Sequence, residues 1–160
     1  MAQIPYIRKL LEALRIPIIE QSRFEADDVI GALARRSAEK GLEVCIVSSD
    51  KDLLQLVGEH VHVMDPAKED LVYDAAKVEE YTGVPPERVA DLLALKGDAV
   101  DNIPGAPGIG DKGARELIQR FGSVEQALER AAEVERKMYR TSLLENREIG
   151  RARVGKECRL

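Results

Sequence analysis

The stretch Leu42–Val57, LEVCIVSSDKDLLQLV, decides the fold. Val44 to Val47 form an unbroken apolar run, which predicts a strand covered on both faces, as in a parallel sheet. Leu53, Leu54 and Val57 carry the apolar spacing of a short helix. Asp50 and Asp52 fall between the two, just past the C-terminal end of the strand, and ligands bind at that edge in open α/β sheets. Cys45 sits inside the apolar run. It is read as a reduced core residue of a cytoplasmic protein, since neither it nor Cys158 has metal or redox spacing.

Upstream, SRFEADDVIGALARRSAEKG (Ser22–Gly41) predicts a helix ended by Gly41, with Ser22 and Glu25 as a capping box. IPIIE (Ile16–Glu20) is a strand candidate, because proline opens a β-branched pair. Ile7, Leu10, Leu11 and Leu14 recur at helical spacing from Pro5 onward. Downstream, HVHVMD (His60–Asp65) alternates like another strand. This β-α order predicts a three-layer α/β domain with mainly parallel pairing. Strand signals stop after Val72. DAAKVEEYTG and PPERVADLLALKG then read as helices, the second opened by Pro85 and Pro86. A loop, GDAVDNIPGAPGIGDKG (Gly97–Gly113), and two or three further helices follow. The expected division is an α/β core over residues 1–96 and a helical module over 97–160.

Composition excludes several classes. With 44% hydrophobic and 33% charged residues the chain is too apolar for disorder. No apolar run approaches a membrane span, and MAQIPYIRKL lacks the apolar core of a signal peptide. A net charge of -5 argues against a simple basic patch for nucleic acid, so local clusters must decide.

Seven carboxylates fall into three such clusters: Glu25, Asp27 and Asp28; Asp50 and Asp52; Asp98 and Asp101. Each alone reads as a helix cap or solvated loop. Brought together they would repel and raise one another's pKa values, and a divalent cation would relieve that. All-oxygen donors suit Mg²⁺ or Mn²⁺, and two such ions about 4 Å apart hydrolyse phosphodiesters. His60 and His62 share one strand face and read as rim residues, with metal binding a minor alternative.

Gly108, Gly110 and Gly113 match G-x-G-x-x-G, but no strand precedes them, so a dinucleotide site is a weak alternative. The loop reads instead as a tight hairpin whose glycines permit φ > 0 and close backbone approach. Helix-start N–H groups near Gly110, with Lys112, Arg115 and Arg120, can receive a phosphate without reading sequence.

FEADDVIGALA, VSSDKDLLQLV, LLALKGDAVDNIPGAPGIGDKGARELIQRFGS and SLLENRE, in that order, resemble the 5′-3′ exonuclease domain of bacterial DNA polymerase I, within the flap endonuclease family of PIN-like nucleases. The similarity runs from about Ile4 to Glu148. It implies a PIN-like core followed by a helix-hairpin-helix module. Glu25, Asp27, Asp28, Asp50, Asp52, Asp98 and Asp101 match the family's metal-site carboxylates, with Asp27, Asp28, Asp50 and Asp52 in the catalytic role. Gly105, Gly108, Ile109, Gly110, Lys112, Gly113 and Arg115 match the hairpin that grips duplex DNA, where backbone carbonyls hold K⁺ against a phosphate. The implied partners are double-stranded DNA with a 5′ end or flap and a fused or cooperating DNA polymerase.

Family members open with two strands, each ending in a metal-site aspartate, and a basic helical arch. MAQIPYIRKL starts after that point, and GRARVGKECRL (150–160) fits the family poorly. The expectation is therefore a piece of a larger nuclease or a shortened relative, with reduced activity and an open sheet edge prone to self-association. The alternative from a different class is a DNA-structure-binding module without catalysis.

Overall fold

The computed structural model describes residues 3–98 and 103–149. Its three strands, β1 (Val44–Val47), β2 (Val61–Asp65) and β3 (Leu71–Tyr73), form one sheet in the order β1-β2-β3. β1 runs parallel to β2 with Val44 opposite Val61, and β2 pairs antiparallel with β3, with Val63 opposite Tyr73. β3 is too short to show a period, and the sequence reading missed it. On β2 the side chains of Val61, Val63 and Asp65 point into the core while His62 and Met64 are half-exposed.

β1 departs from expectation. Only Ile46 is buried on it; Cys45 and Val47 are exposed. One face packs on the core beside helix α2 (Ala26–Ala38) and the other faces out, so Cys45 is not a core residue. IPIIE is likewise not a strand. Ile16, Ile18 and Ile19 are exposed, and the segment pairs with no described strand. A β-branched run becomes a strand only when its backbone groups find partners. Helix α1 (Ile4–Ala13), as predicted, forms ahead of it but buries no residue.

α2 begins at Ala26, because Glu25 rather than Ser22 is its cap. Asp28 Oδ2 accepts the Glu25 amide at 3.1 Å, completing a capping box one turn later than the sequence reading placed it. Gly41, at φ +71, closes the following turn. Helix α3 (Ala75–Thr82) is capped by Asp74 and ended by Gly83 in the left-handed region. A 3₁₀ turn at Pro86–Arg88 feeds α4 (Val89–Lys96), in which every residue from Val89 to Leu95 is buried. A helix apolar all round belongs at the centre of a domain. Accordingly α5 (Asp111–Phe121) and α6 (Val124–Glu129) pack on it, and α7 (Lys137–Glu145) packs on α6.

One polar residue lies inside that central helix. Asp91 is fully buried, and its Oδ1 accepts the Val124 amide at 3.0 Å. It thus satisfies a free N–H at the start of α6, which Ser123 caps from the other side. No helix among the described residues is long and apolar enough to cross a membrane.

A single hydrophobic cluster joins sheet and helices. Its hinge is the 3₁₀ turn Lys51–Leu56, which connects β1 to β2 and buries Leu53 and Leu54 almost completely. This turn packs against α2, β2 and α4, so the loop carrying Asp50 and Asp52 is held by two leucines set in the core.

The second fixed point is the hairpin between α4 and α5. Asp98 and Ile103 exchange both backbone hydrogen bonds (2.9 and 2.8 Å), and the Ala106 amide donates to Leu95 O at 2.8 Å. Gly97 (φ +83) and Gly105 (φ +65) lie back to back. A Cβ on Gly105 would stand 2.5 Å from Gly97 N and 2.6 Å from Lys96 C. Gly105→Ala is therefore expected to cost about 2–4 kcal/mol of stability, from backbone strain plus a clash that no side-chain rotation relieves. Leu53→Ala is expected to cost a similar amount, about 3 kcal/mol, through a core cavity. Chemical denaturation checks both, and a shift under 1 kcal/mol in either would show that the neighbouring backbone gives way.

Candidate metal centre and nucleic-acid interface

Five of the expected carboxylates gather at the C-terminal edge of the sheet. Glu25, Asp27 and Asp28 stand at the start of α2, and Asp50 and Asp52 on the loop after β1. Partial burial and then the charges of Asp50, Asp52, Glu25 and Asp28 lift Asp27 above the ordinary aspartate range. Asp27 thus lies within range of the charges of both groups.

Local structure also uses these side chains. Glu25 and Asp28 cap α2, and Asp50 Oδ1 accepts the Asp52 amide at 2.9 Å. The cap role leaves further acceptor capacity on each of these carboxylates, since one N–H occupies only part of it. Asp98, buried beneath the hairpin, is joined to Lys51 Nζ at 2.8 Å. That ion pair ties the acidic loop to the helical module. Asp101 lies outside the described residues.

The donor set fits a hard divalent cation in chemistry and in charge. Among the described residues, however, no three His, Cys, Asp or Glu side chains stand close enough to hold one ion together. The fit is to an ion that keeps several waters and takes one or two carboxylates, the usual habit of Mg²⁺. His60 is not part of it, because its Nδ1 lies 2.7 Å from Glu43 Oε1.

The structure divides the residues expected on DNA. Gly105, Ile109 and Gly113 are buried and build the hairpin. Gly113 lies under Tyr139, whose hydroxyl would be 2.6 Å from an added Cβ. Gly108, Gly110 and Lys112 are exposed. Gly108 has φ +79, but Gly110 is extended (φ -88, ψ -171) and its Cβ direction is open. The expectation that Gly110 needs positive φ is therefore corrected: Gly105 and Gly108 make the turns, and Gly110 caps α5. Arg115 Nη2 is paired with Asp111 at 2.6 Å, and Lys96 Nζ reaches the same carboxylate at 3.3 Å. Arg120 pairs with Glu135 at 3.4 Å. An open groove of about 600 Å³, lined in part by Lys96, Gly97, Asp98, Gly110 and Asp111, lies along the hairpin.

The sequence reading passed over a second cluster at this edge. Asp65 is buried at the end of β2, where Ser49 Oγ donates to its Oδ1 at 2.5 Å and Lys68 Nζ lies 3.3 Å from its Oδ2. The Ser49 hydrogen bond, with those from Ala67 and Lys68, holds Asp65 below the usual aspartate range. Lys68 also donates to Tyr73 Oη at 2.9 Å and lies over the Tyr81 ring at 4.5 Å; the Tyr73 contact leads in raising its pKa. The available signal was register, since Val61, Val63 and Asp65 share the buried face of one strand.

Two family models match consecutive stretches of the chain: the 5′-3′ exonuclease N-terminal resolvase-like domain over residues 1–83 and the 5′-3′ exonuclease C-terminal SAM fold over residues 84–154. The chain belongs to the 5′-3′ exonuclease family. DNA polymerase I of Rhizobium leguminosarum is 44% identical over 149 residues, which are 93% of this chain and 15% of that protein. The 5′-3′ exonuclease of Aquifex aeolicus is 44% identical over 138 residues, 86% of this chain and 47% of that one. The chain thus spans under half the length of either relative. In fold it matches the bacteriophage T5 flap endonuclease solved as a pseudo-enzyme-product complex with DNA and metal ions, with a TM-score of 0.82, 23% identity, and coverage of 94% of this chain and 56% of that one. The family's two models meet between Gly83 and Val84, at the left-handed cap of α3.

The charge cluster has a consequence for stability in this exonuclease-family chain. A carboxylate whose folded pKa is raised destabilises the fold above that pKa, and the cost disappears as pH falls below the unfolded value of 3.8. Asp27→Asn is therefore expected to raise the thermal midpoint at pH 7 without added cations, and to leave it unchanged below about pH 3.5. Calorimetry across that range checks it, and a lower midpoint at pH 7 would contradict the repulsion.

Proposed function

We propose that this chain carries the centre of a metal-dependent 5′-3′ exonuclease and 5′-flap endonuclease that hydrolyses DNA phosphodiesters near a 5′ end. The observation that carries the reading is the gathering of Glu25, Asp27, Asp28, Asp50 and Asp52 at the sheet edge, close enough to perturb Asp27. Membership in the 5′-3′ exonuclease family supports it, as does a structural relative crystallised with DNA and metal ions.

Asp50 and Asp52 would hold Mg²⁺ or Mn²⁺ from the loop fixed by Leu53 and Leu54, with Asp27 and Asp28 facing them from α2. Asp98 and Asp101 would complete the set for two ions. Bound there, the ions supply Lewis acidity that makes water a nucleophile at neutral pH and offsets charge on the leaving oxygen. No side chain need become covalently attached. Lys51 neutralises Asp98 and holds the acidic loop against the hairpin. The free N–H groups at the start of α5, beside Lys112, suit a backbone phosphate, and the carbonyls of the Gly105–Gly113 hairpin suit K⁺. Such contacts position duplex DNA without reading its sequence, and they weaken as salt rises. Fusion to or cooperation with a DNA polymerase accords with the polymerase relatives.

A non-catalytic DNA-structure-binding module is the second reading. It is favoured by the lack, among the described residues, of three carboxylates close enough to share one ion. Incubation of a labelled 5′-flap duplex with the chain and Mn²⁺ separates the two. The nuclease reading expects cleavage that EDTA abolishes and that Asp50→Asn with Asp52→Asn reduces at least 100-fold, about 2.7 kcal/mol of barrier. Salt-sensitive binding without metal-dependent cleavage would select the binding module instead.

A further inference from the structure

Asp65 takes no part in the cluster just described, yet it is tied to the loop that carries it. It is 4% exposed. Its Oδ1 accepts from Ser49 Oγ at 2.5 Å and from the Ala67 amide at 3.0 Å, and its Oδ2 lies 3.3 Å from Lys68 Nζ. Lys68 is held in turn by Tyr73 Oη at 2.9 Å and lies over the Tyr81 ring at 4.5 Å. The receiving end, Ser48–Asp52, is a short chain of polar contacts. The Ser48 amide donates to Met64 O at 3.0 Å, Ser48 Oγ accepts the Asp50 amide at 3.1 Å, and Asp50 Oδ1 accepts the Asp52 amide at 2.9 Å. Leu53 and Leu54 fix only the far end of this loop. At the near end, Ser49 reaches from the loop to a buried group on the next strand.

We propose that Asp65 is a positioning residue for the metal-binding loop, acting through Ser49 to set where Asp50 and Asp52 present their carboxylates. The inference rests on the metal reading above for its consequence, though not for its geometry. A buried carboxylate on this scale is costly to keep and needs a compensating network. Here the network spans β2, β3 and α3 and ends on the acidic loop, so a rigid part of the fold holds an otherwise exposed segment. Partners that orient a metal ligand without touching the ion typically alter its affinity 10- to 100-fold when removed.

Two measurements on the folded chain test this, with Ser49→Ala as the variant, since Ser49 is exposed and its loss opens no cavity. Amide hydrogen exchange at Asp50, Asp52 and Leu53 is expected to speed up severalfold, while the β1 amides stay unchanged. The Mn²⁺ dissociation constant, read by calorimetry, is expected to rise about tenfold. Ser49→Thr keeps the hydroxyl and should restore both values, which a general loss of stability would not allow. Asp65→Asn keeps the acceptor for Ser49 but loses the charge that holds Lys68, and it should fall between. Unchanged exchange in Ser49→Ala overturns the proposal, and so does faster exchange with unchanged Mn²⁺ affinity. If the unsubstituted chain binds no Mn²⁺, the metal reading fails, and the proposal falls with it as a statement about metal placement even if the exchange result holds.

Discussion

The burial of Leu53 and Leu54 is the constraint on which the rest of the molecule depends. These two side chains, 1% and 3% exposed, sit where the sheet, α2 and α4 meet. Each contributes on the order of 2 kcal/mol of apolar burial. They also lie in the connection between the parallel strands β1 and β2, which carries a 3₁₀ helix of six residues in place of a full crossover helix. The loop in front of the turn is thereby kept at the C-terminal edge of the sheet. Polar and charged residues there face α2 on one side and the hairpin on the other, and sheet position alone makes that edge the place for a ligand.

Charge then shapes what the edge can do. The start of α2 tolerates three acidic residues because its free N–H groups and dipole favour them. The loop adds two more within range, and the cost appears as the raised Asp27. The protein offsets part of this with Lys51, whose ammonium reaches the buried Asp98 and couples the sheet edge to the hairpin. The same economy recurs nearby, where Asp111 holds both Arg115 and Lys96. Arg115 and Lys96 are therefore already engaged with a carboxylate, while Lys112 is exposed beside them. Net attraction under these conditions depends on ionic strength. A chain with net charge -5 can still present a local anion site.

Much of this was legible from residues alone, and the exceptions share a cause. α2, the Leu53–Leu54 turn, β2, α4 and the glycine hairpin follow from periodicity and from glycine and proline chemistry, which are local. The gathering of Asp27 with Asp50 and Asp52 was also legible, because each lies at an element end that the α/β order brings to one edge. IPIIE failed as a strand because β-branched propensity alone makes no strand without backbone pairing, and this segment pairs with no described strand. Cys45 proved exposed because an apolar run does not reveal whether both faces are covered. Gly110 was assigned positive φ for lying in a glycine-rich loop, whereas only Gly105 and Gly108 occupy the turns. Asp65 and Asp91 were missed because a buried carboxylate is explained by its partners, Ser49 with Lys68 in one case and the Val124 amide in the other. Of these, Ser49 and the Val124 amide are remote in sequence.

The central claim is that the carboxylates at the sheet edge are arranged to hold a divalent cation. Paramagnetic broadening of backbone amide signals by substoichiometric Mn²⁺ tests it most directly, because the effect falls off steeply with distance from the ion and needs neither substrate nor turnover. The account predicts that signals of residues 25–28 and 49–52 disappear first, together with Asp98, and that excess Mg²⁺ restores them. Broadening that is scattered over the surface acids, or centred on Glu43 and His60, would contradict it.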